Sequence, residues 1–333
     1  MPPKEFWRFK KYCSNDLKGL FFLEWKYFSF THEDIKGFIC YSVGNPKNIL
    51  GLKRGIVSYA VYHEEGREIG EIEVSKKNLE LNRKNLWVFG STALRYMGKK
   101  SWEIKGDIDD LSWDLTFSQI VPGNRIRFDL DNKLFRDSWM DWLVFCNSAE
   151  VEGSITIKET KYEIKALGYY DSNYGHWNPS NKLWTWGHSI CRSENEIFSF
   201  SMAESRFDNI AKGRMYVGIN DTIFQFDSGE YELKYDTVLD LPSCYFVKGY
   251  KENGTTVKAK FEVEFSDKLT FKMFGMIPLL DLYLQRGTLH LEIKTPDDKT
   301  FNISCYGSWE FPKKTKIFRH LKGLASITYT FTN

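Results

Sequence analysis

Long apolar runs are missing from this 333-residue sequence. No stretch approaches the roughly 18 apolar residues that a membrane-spanning helix needs, and mean hydropathy is −0.43. The opening residues, Met1-Pro2-Pro3-Lys4-Glu5-Phe6-Trp7, contain no apolar segment of the kind a secretory leader carries. A cytoplasmic location is the expectation. An excess of charge of one sign is also missing: 46 Lys+Arg face 44 Asp+Glu, a net charge of +2. Nucleic-acid binders carry a basic excess arranged in stripes, so no nucleic-acid partner is expected. Runs such as Lys10-Lys11 and Lys313-Lys314-Thr315-Lys316 read as solvated faces. Cysteine is sparse and scattered, with six residues at 13, 40, 146, 191, 244 and 305. They form no C-x-x-C pair and no zinc spacing. In a reducing compartment most of them read as buried small hydrophobes.

The familiar cofactor and hydrolase motifs are absent too. There is no P-loop, no G-x-G-x-x-G after a strand, no H-E-x-x-H and no G-x-S-x-G. Nucleotide, zinc and serine-hydrolase chemistry have no support, and no cofactor is expected. Asp107-Ile108-Asp109-Asp110 spells D-x-D-D, but it reads as the turn of a hairpin before the Trp113 strand. It lacks the spacing of an EF-hand loop.

What is abundant is the aromatic ring: 26 Phe, 18 Tyr and 11 Trp, or 17% of the chain. Rings favour strands and line pockets for apolar ligands. Strand-like segments follow one another throughout. Gly55 to Tyr62 is β-branched and aromatic, and Ile69-Gly70-Glu71-Ile72-Glu73-Val74 alternates with period 2. Turn signals such as Pro122-Gly123-Asn124 and Glu252-Asn253-Gly254 separate them. Many short strands at regular spacing predict an all-β sandwich or barrel. Helix signals are few. Phe135 to Phe145 has the spacing of a short amphipathic helix or the content of an aromatic loop, and Pro278 to Gln285 reads as one or two helical turns. The polar stretch His176 to Lys182 is the best boundary, giving domains 1–178 and 179–333. Each half holds enough strands for one small barrel able to enclose a ligand.

Three clusters combine rings with ionisable groups. The densest is Gly168-Tyr169-Tyr170-Asp171-Ser172-Asn173-Tyr174-Gly175-His176-Trp177, followed by Trp184-Thr185-Trp186-Gly187-His188. A carboxylate among rings has its pKa raised by desolvation, which suits Asp171 to general-acid work near neutral pH. The surrounding ring faces can stabilise developing positive charge. The same pattern also fits a turn Asp at a barrel rim. The second cluster is Glu24-Trp25-Lys26-Tyr27-Phe28. Alternation places Glu24 and Lys26 on one face and Trp25 and Tyr27 on the other, which reads as a strand with one buried aromatic face. The third is Leu111 to Phe117, where Trp113 and Asp114 point to opposite faces.

Taken in order, these clusters resemble the carotenoid hydratase / AttH-like / tocopherol cyclase superfamily. Glu24 to Phe28 resembles its early E-W-W-Y-F motif, and Trp113-Asp114-Leu115 with Phe117 looks like its W-D-L-x-F strand. Gly168 to Gly175 looks like its G-x-x-Y-x-D-x-N-W-G signature, and Trp184 to Gly187 like the W-x-W-G strand that follows. The similarity covers roughly residues 20 to 190. It departs at Tyr170, Ser172 and Tyr174, where the family has His, His and Trp.

The resemblance implies two tandem lipocalin-like antiparallel β-barrels around an apolar pocket. It implies an enzyme that works on a hydrophobic isoprenoid or polyene without metal or redox cofactor. The expected chemistry is cyclisation started by protonation. A pericyclase, a hydratase and a non-catalytic lipid or terpenoid carrier are the alternatives. The resemblance carries over Tyr169 and Asp171; the expected catalytic set is Asp171 as acid, Tyr169 and Tyr170 tuning or relaying its proton, and His188 as relay. The expected substrate-binding set is Glu24, Trp25, Tyr27, Trp113, Asp114, Asn173, Trp177, Trp184 and Trp186, with Asn173 orienting the carboxyl group. A peripheral membrane contact for substrate uptake is compatible with such a role.

Overall fold

The computed structural model describes residues 17–83, 85–123, 125–129, 139–176, 183–207, 210–273 and 277–315, together with Cys13 and Asn15. Every long element among them is a strand; three short 3-10 turns accompany the strands, at Leu17–Phe21, Ile49–Gly51 and Lys76–Asn78. This is the all-β architecture that the ring-rich alternation predicts.

The first sheet contains β1 (Phe22–Thr31), β2 (Ile35–Gly44), β3 (Arg54–His63), β4 (Gly66–Val74), β5 (Leu79–Arg83), β6 (Leu86–Phe89), β7 (Thr92–Gly98), β8 (Ser101–Ile108), β9 (Leu111–Val121), β10 (Arg125–Asp129), β11 (Trp139–Ile157) and β12 (Thr160–His176). Its order is β4-β3-β2-β1-β12-β11-β9-β8-β7-β6-β5, with β10 on β11. The meander is broken once: β12 returns to pair with β1, which folds the sheet into a nearly closed barrel. Gly55 lies against Leu79 and Phe89, where any side chain would collide, so the two ends of the sheet approach there. The barrel is filled with rings and aliphatics, among them Phe28, Tyr41, Trp87, Phe89, Trp102, Trp113, Phe117 and Tyr170.

The second sheet contains β13 (Leu183–Ser193), β14 (Glu196–Phe207), β15 (Ile210–Ile219), β16 (Thr222–Asp227), β17 (Tyr231–Val238), β18 (Leu241–Tyr250), β19 (Thr256–Met273), β20 (Ile277–Lys294) and β21 (Thr300–Lys314). Its order, β16-β15-β14-β13-β21-β20-β19-β18-β17, repeats the closure device of the first, with the last strand returning to the first. It forms a half-barrel. Trp309 stacks on Tyr245 with ring centroids 4.4 Å apart and centres its core. Contacts group the chain into a unit of Met1–Trp177, Ile190–Phe198 and Gly218–Thr222, and a unit of Asn178–Ser189, Ser199–Val217 and Ile223–Asn333.

Three expectations are corrected. Residues 139–145 open the long strand β11 rather than a helix, and 278–285 lie inside β20. In both, apolar side chains recur at helix-like intervals, yet cross-strand pairing decides the conformation. The third concerns cysteine. Cys13, Cys40, Cys146 and Cys244 are free, whereas Cys191 and Cys305 are disulfide-bonded. Thiol titration of the unfolded protein should therefore find four reactive groups before reduction and two more after it. Six thiols without a reductant would refute the bridge. The D-x-D-D segment is the β8–β9 hairpin turn, with Ile108 paired to Leu111 and Asp109 at φ 49°.

Candidate active site

Strand alternation sorts the signature residues onto two faces of the first barrel. β1 and β12 are antiparallel, with Lys26 opposite Ser172, Tyr27 opposite Asp171 and Phe28 opposite Tyr170. Successive side chains point to opposite sides. Phe28, Tyr170 and Tyr174 belong to the barrel core, so Glu24, Lys26 and Ser172 point inward with them. Trp25, Tyr27, Tyr169, Asp171 and Asn173 point outward.

The outward face carries the carboxylic acid. Asp171 is buried (1% exposed). Its Oδ2 accepts the Tyr169 hydroxyl at 2.7 Å and the Trp142 indole N–H at 2.8 Å. Its Oδ1 is buried with no hydrogen-bond partner among the described residues. Burial pushes the carboxyl up to about 7, while the two donors and the Lys26 charge pull it partly back. Tyr27 is buried beside it, stacked on Phe38 at 4.9 Å and edge-on to Tyr169 at 6.5 Å. One oxygen is thus fixed as an acceptor, and the other can carry a proton.

Trp142 is the member of this group that the sequence did not reveal. It lies in the segment read as a helix or an aromatic loop, where it counted as part of an apolar stripe and not as a partner of Asp171. A bulge in β11 sets its position. The register with β12 shifts between Val144 and Cys146, so Phe145 and Cys146 both enter the core. Trp142 and Val144 then share the face of Asn173 and Asp171. Bulges re-aim side chains in this way beside functional groups.

The inward face holds a buried ion pair. Glu24 and Lys26 are both fully buried, with Lys26 Nζ 2.9 Å from Glu24 Oε1 and 3.3 Å from Ser172 Oγ. The ammonium lies 4.8 Å from the centre of the Trp87 ring. The Glu24–Lys26 face is therefore buried, while the opposite face has Tyr27 buried and Trp25 half-buried, which corrects the expectation of a single buried aromatic face. Nearby, Asp141 is buried and engaged by Arg125 and Arg127.

The remaining residues are distributed as follows. Tyr170 stands on the face opposite Asp171, stacked between Phe28 at 4.1 Å and Phe145 at 4.8 Å, and makes no hydrogen bond to the acid. Asn173 shares the face of Asp171, but the bonds to the carboxylate come from Tyr169 and Trp142. Trp113 is inside the barrel and donates to Tyr41 Oη at 3.1 Å. Asp114 is exposed and pairs with Lys105 at 3.0 Å. Trp177 lies outside the described residues. Trp184, Trp186 and His188 belong to β13 of the second sheet. Trp184 donates to Glu310 at 3.2 Å, and Trp186 meets His188 edge-on at 4.8 Å. Burial pushes the His188 imidazole well below its ordinary value, and Arg286 adds to the effect. Among the described residues, no three His, Cys, Asp or Glu side chains are grouped as a metal site, and no helix is long and apolar enough to cross a membrane.

No protein-family model matches the chain, and no curated protein sequence matches it. Solved structures do. A putative AttH from Nitrosomonas europaea aligns with a TM-score of 0.57 at 10% identity, covering 87% of this chain and 92% of the other. Kievitone hydratase from Nectria haematococca aligns at 0.56 and 15% identity, covering 86% and 87%. CghA aligns at 0.57 and 7% identity, covering 88% of each. The chain therefore shares the fold of these structures, a tandem of lipocalin-like sheets with one nearly closed barrel and one half-barrel.

Proposed function

We propose that this protein is an enzyme that cyclises an apolar isoprenoid or polyene by protonating it from Asp171. The observation that carries the reading is the state of that carboxyl group: buried, pushed up to about 7, and bonded through one oxygen only. Such a group keeps a proton near neutrality and can deliver it from Oδ1. The proton adds to one alkene carbon and leaves a cation at the other. Attack by a second double bond closes the ring. Loss of a proton from the neighbouring carbon to the Asp171 carboxylate restores the acid, so the net change is an isomerisation. Tyr169 and Trp142 hold the carboxylate produced in the first step. The rings of Trp25, Tyr27, Tyr169 and Trp142 share its face and stabilise the cation.

Hydration is the second reading, favoured by the fold shared with a protein named as a hydratase. The first step is the same, with water capturing the cation. One experiment separates the two readings. The apolar fraction extracted from the purified protein is returned to fresh enzyme in D₂O and, separately, in H₂¹⁸O. Cyclisation places deuterium on carbon and leaves ¹⁸O out. Hydration incorporates both. A product with neither label would refute protonation by Asp171 and favour a pericyclic reaction, in which the pocket acts by holding one reactive conformer.

A further inference from the structure

Exposed large apolar side chains are few among the described residues, and two of them occupy one loop of the first barrel. Leu50 is 72% exposed and Leu52 is 42% exposed. The loop is firmly built. The Asn45 side chain donates to the Ile49 carbonyl and accepts the Ile49 N–H, both at 2.8 Å. The Lys53 N–H donates to Asn48 Oδ1 at 3.2 Å. Leu50 has φ 53°, a left-handed conformation that a branched side chain rarely adopts. The backbone is thus held in an unfavourable state that presents a leucine to solvent.

The loop is ringed by cations. Lys47 and Lys53 are part of it, and the turn Lys76–Asn78 lies alongside, since Lys53 Nζ donates to the Leu79 carbonyl at 3.4 Å. The Lys53 ammonium is lowered from its ordinary value by burial and by the charge of Lys76. Several exposed lysines of the strands sit on carboxylates instead: Lys105 on Glu103 and Asp114, Lys258 on Glu292, Lys260 on Glu262. Lys47, Lys53, Lys76 and Lys77 have no ion pair among the described residues. Glu73, near the end of β4, is already engaged by Arg54 at the start of β3 at 2.8 Å. An apolar tip inside a collar of uncompensated lysines complements an anionic bilayer surface.

The loop also has a suitable position. It joins the end of β2 to the start of β3, and the Asn45 N–H donates to the Phe22 carbonyl at 2.9 Å. Phe22 begins β1 opposite His176, the end of β12. The loop therefore stands at the end of the barrel from which the Glu24 to Phe28 and Gly168 to Gly175 segments run.

We propose that residues 45–53 and the Lys76–Asn78 turn form a membrane-contact surface, with Leu50 and Leu52 entering the headgroup boundary and the four lysines binding anionic lipid. The contact is independent of the chemistry at Asp171.

The test is co-sedimentation of the whole protein with vesicles of phosphatidylcholine alone and of phosphatidylcholine with phosphatidylserine. Binding is expected to the anionic vesicles only, and to fade with added salt. The pair Lys76→Glu and Lys77→Glu should weaken it roughly 10-fold or more, and Leu50→Ser with Leu52→Ser should weaken it as well. The variant Leu50→Trp keeps the tip apolar; its emission should shift to the blue on anionic vesicles. Absence of binding by the wild-type protein would overturn the proposal, as would an unshifted Leu50→Trp emission on vesicles that do bind. Displacement by inorganic phosphate, with the leucine variant binding normally, would also overturn it by revealing a simple anion site.

Discussion

Replacing Asp171 with Asn will abolish turnover of the extracted substrate and raise the melting temperature at alkaline pH. The first effect follows from removing the acidic proton while keeping the shape. An Asn carbonyl oxygen can still accept the Tyr169 and Trp142 donors now bonded to Oδ2, so ligand binding should persist. The second follows from linkage. The Asp171 carboxyl is raised from 3.8 to about 7 in the folded protein. Between those values the folded state holds a proton that the unfolded state has released, so stability falls as pH rises through that window. Above it the loss levels off at no more than about 4 kcal/mol. Asn has no charge to bury and is spared the loss. Melting curves of the two proteins should coincide in acid and separate towards pH 8, with the variant higher. Turnover retained in the variant would remove Asp171 from the mechanism. Equal melting temperatures at every pH would show that its carboxyl is not raised.

Lys26→Met will cost more stability than any single surface change. It removes the Lys26 ammonium from beside the fully buried Glu24 carboxylate. Breaking one side of a buried pair typically costs about 3–5 kcal/mol. Glu24→Leu combined with Lys26→Met removes both charges from an interior that is already apolar. The double variant should recover most of that loss, because replacing a whole buried pair is often neutral or stabilising. Urea unfolding of the two singles and the double closes the cycle. Independent, additive losses would mean that the two side chains do not act as a pair.

Sequence and structure agree where local rules suffice. Ring-rich alternation with Gly, Pro and Asn turns specifies strands whatever packs on them, and the all-β class follows. The grouping of Tyr169 and Asp171 was legible as well, because period 2 places residues i and i+2 on one face. The same rule excludes Tyr170 from that face, although adjacency in sequence suggests otherwise. Residues 139–145 and 278–285 show the limit of periodicity: short apolar intervals fit a helix or a strand, and long-range pairing decides.

Local sequence by itself thus determined the all-β class, the aromatic fill of the barrels and the acid among rings. Tertiary structure decided what those residues experience. Trp142 reaches Asp171 from a strand about thirty residues away (|i−j| is 29) through a bulge, and Lys26 meets Ser172 across 146 residues. Desolvation, counter-charge and hydrogen-bond supply are set by side chains remote in sequence. The identity of a carboxylate is therefore written in the chain, and its proton affinity is written in the fold.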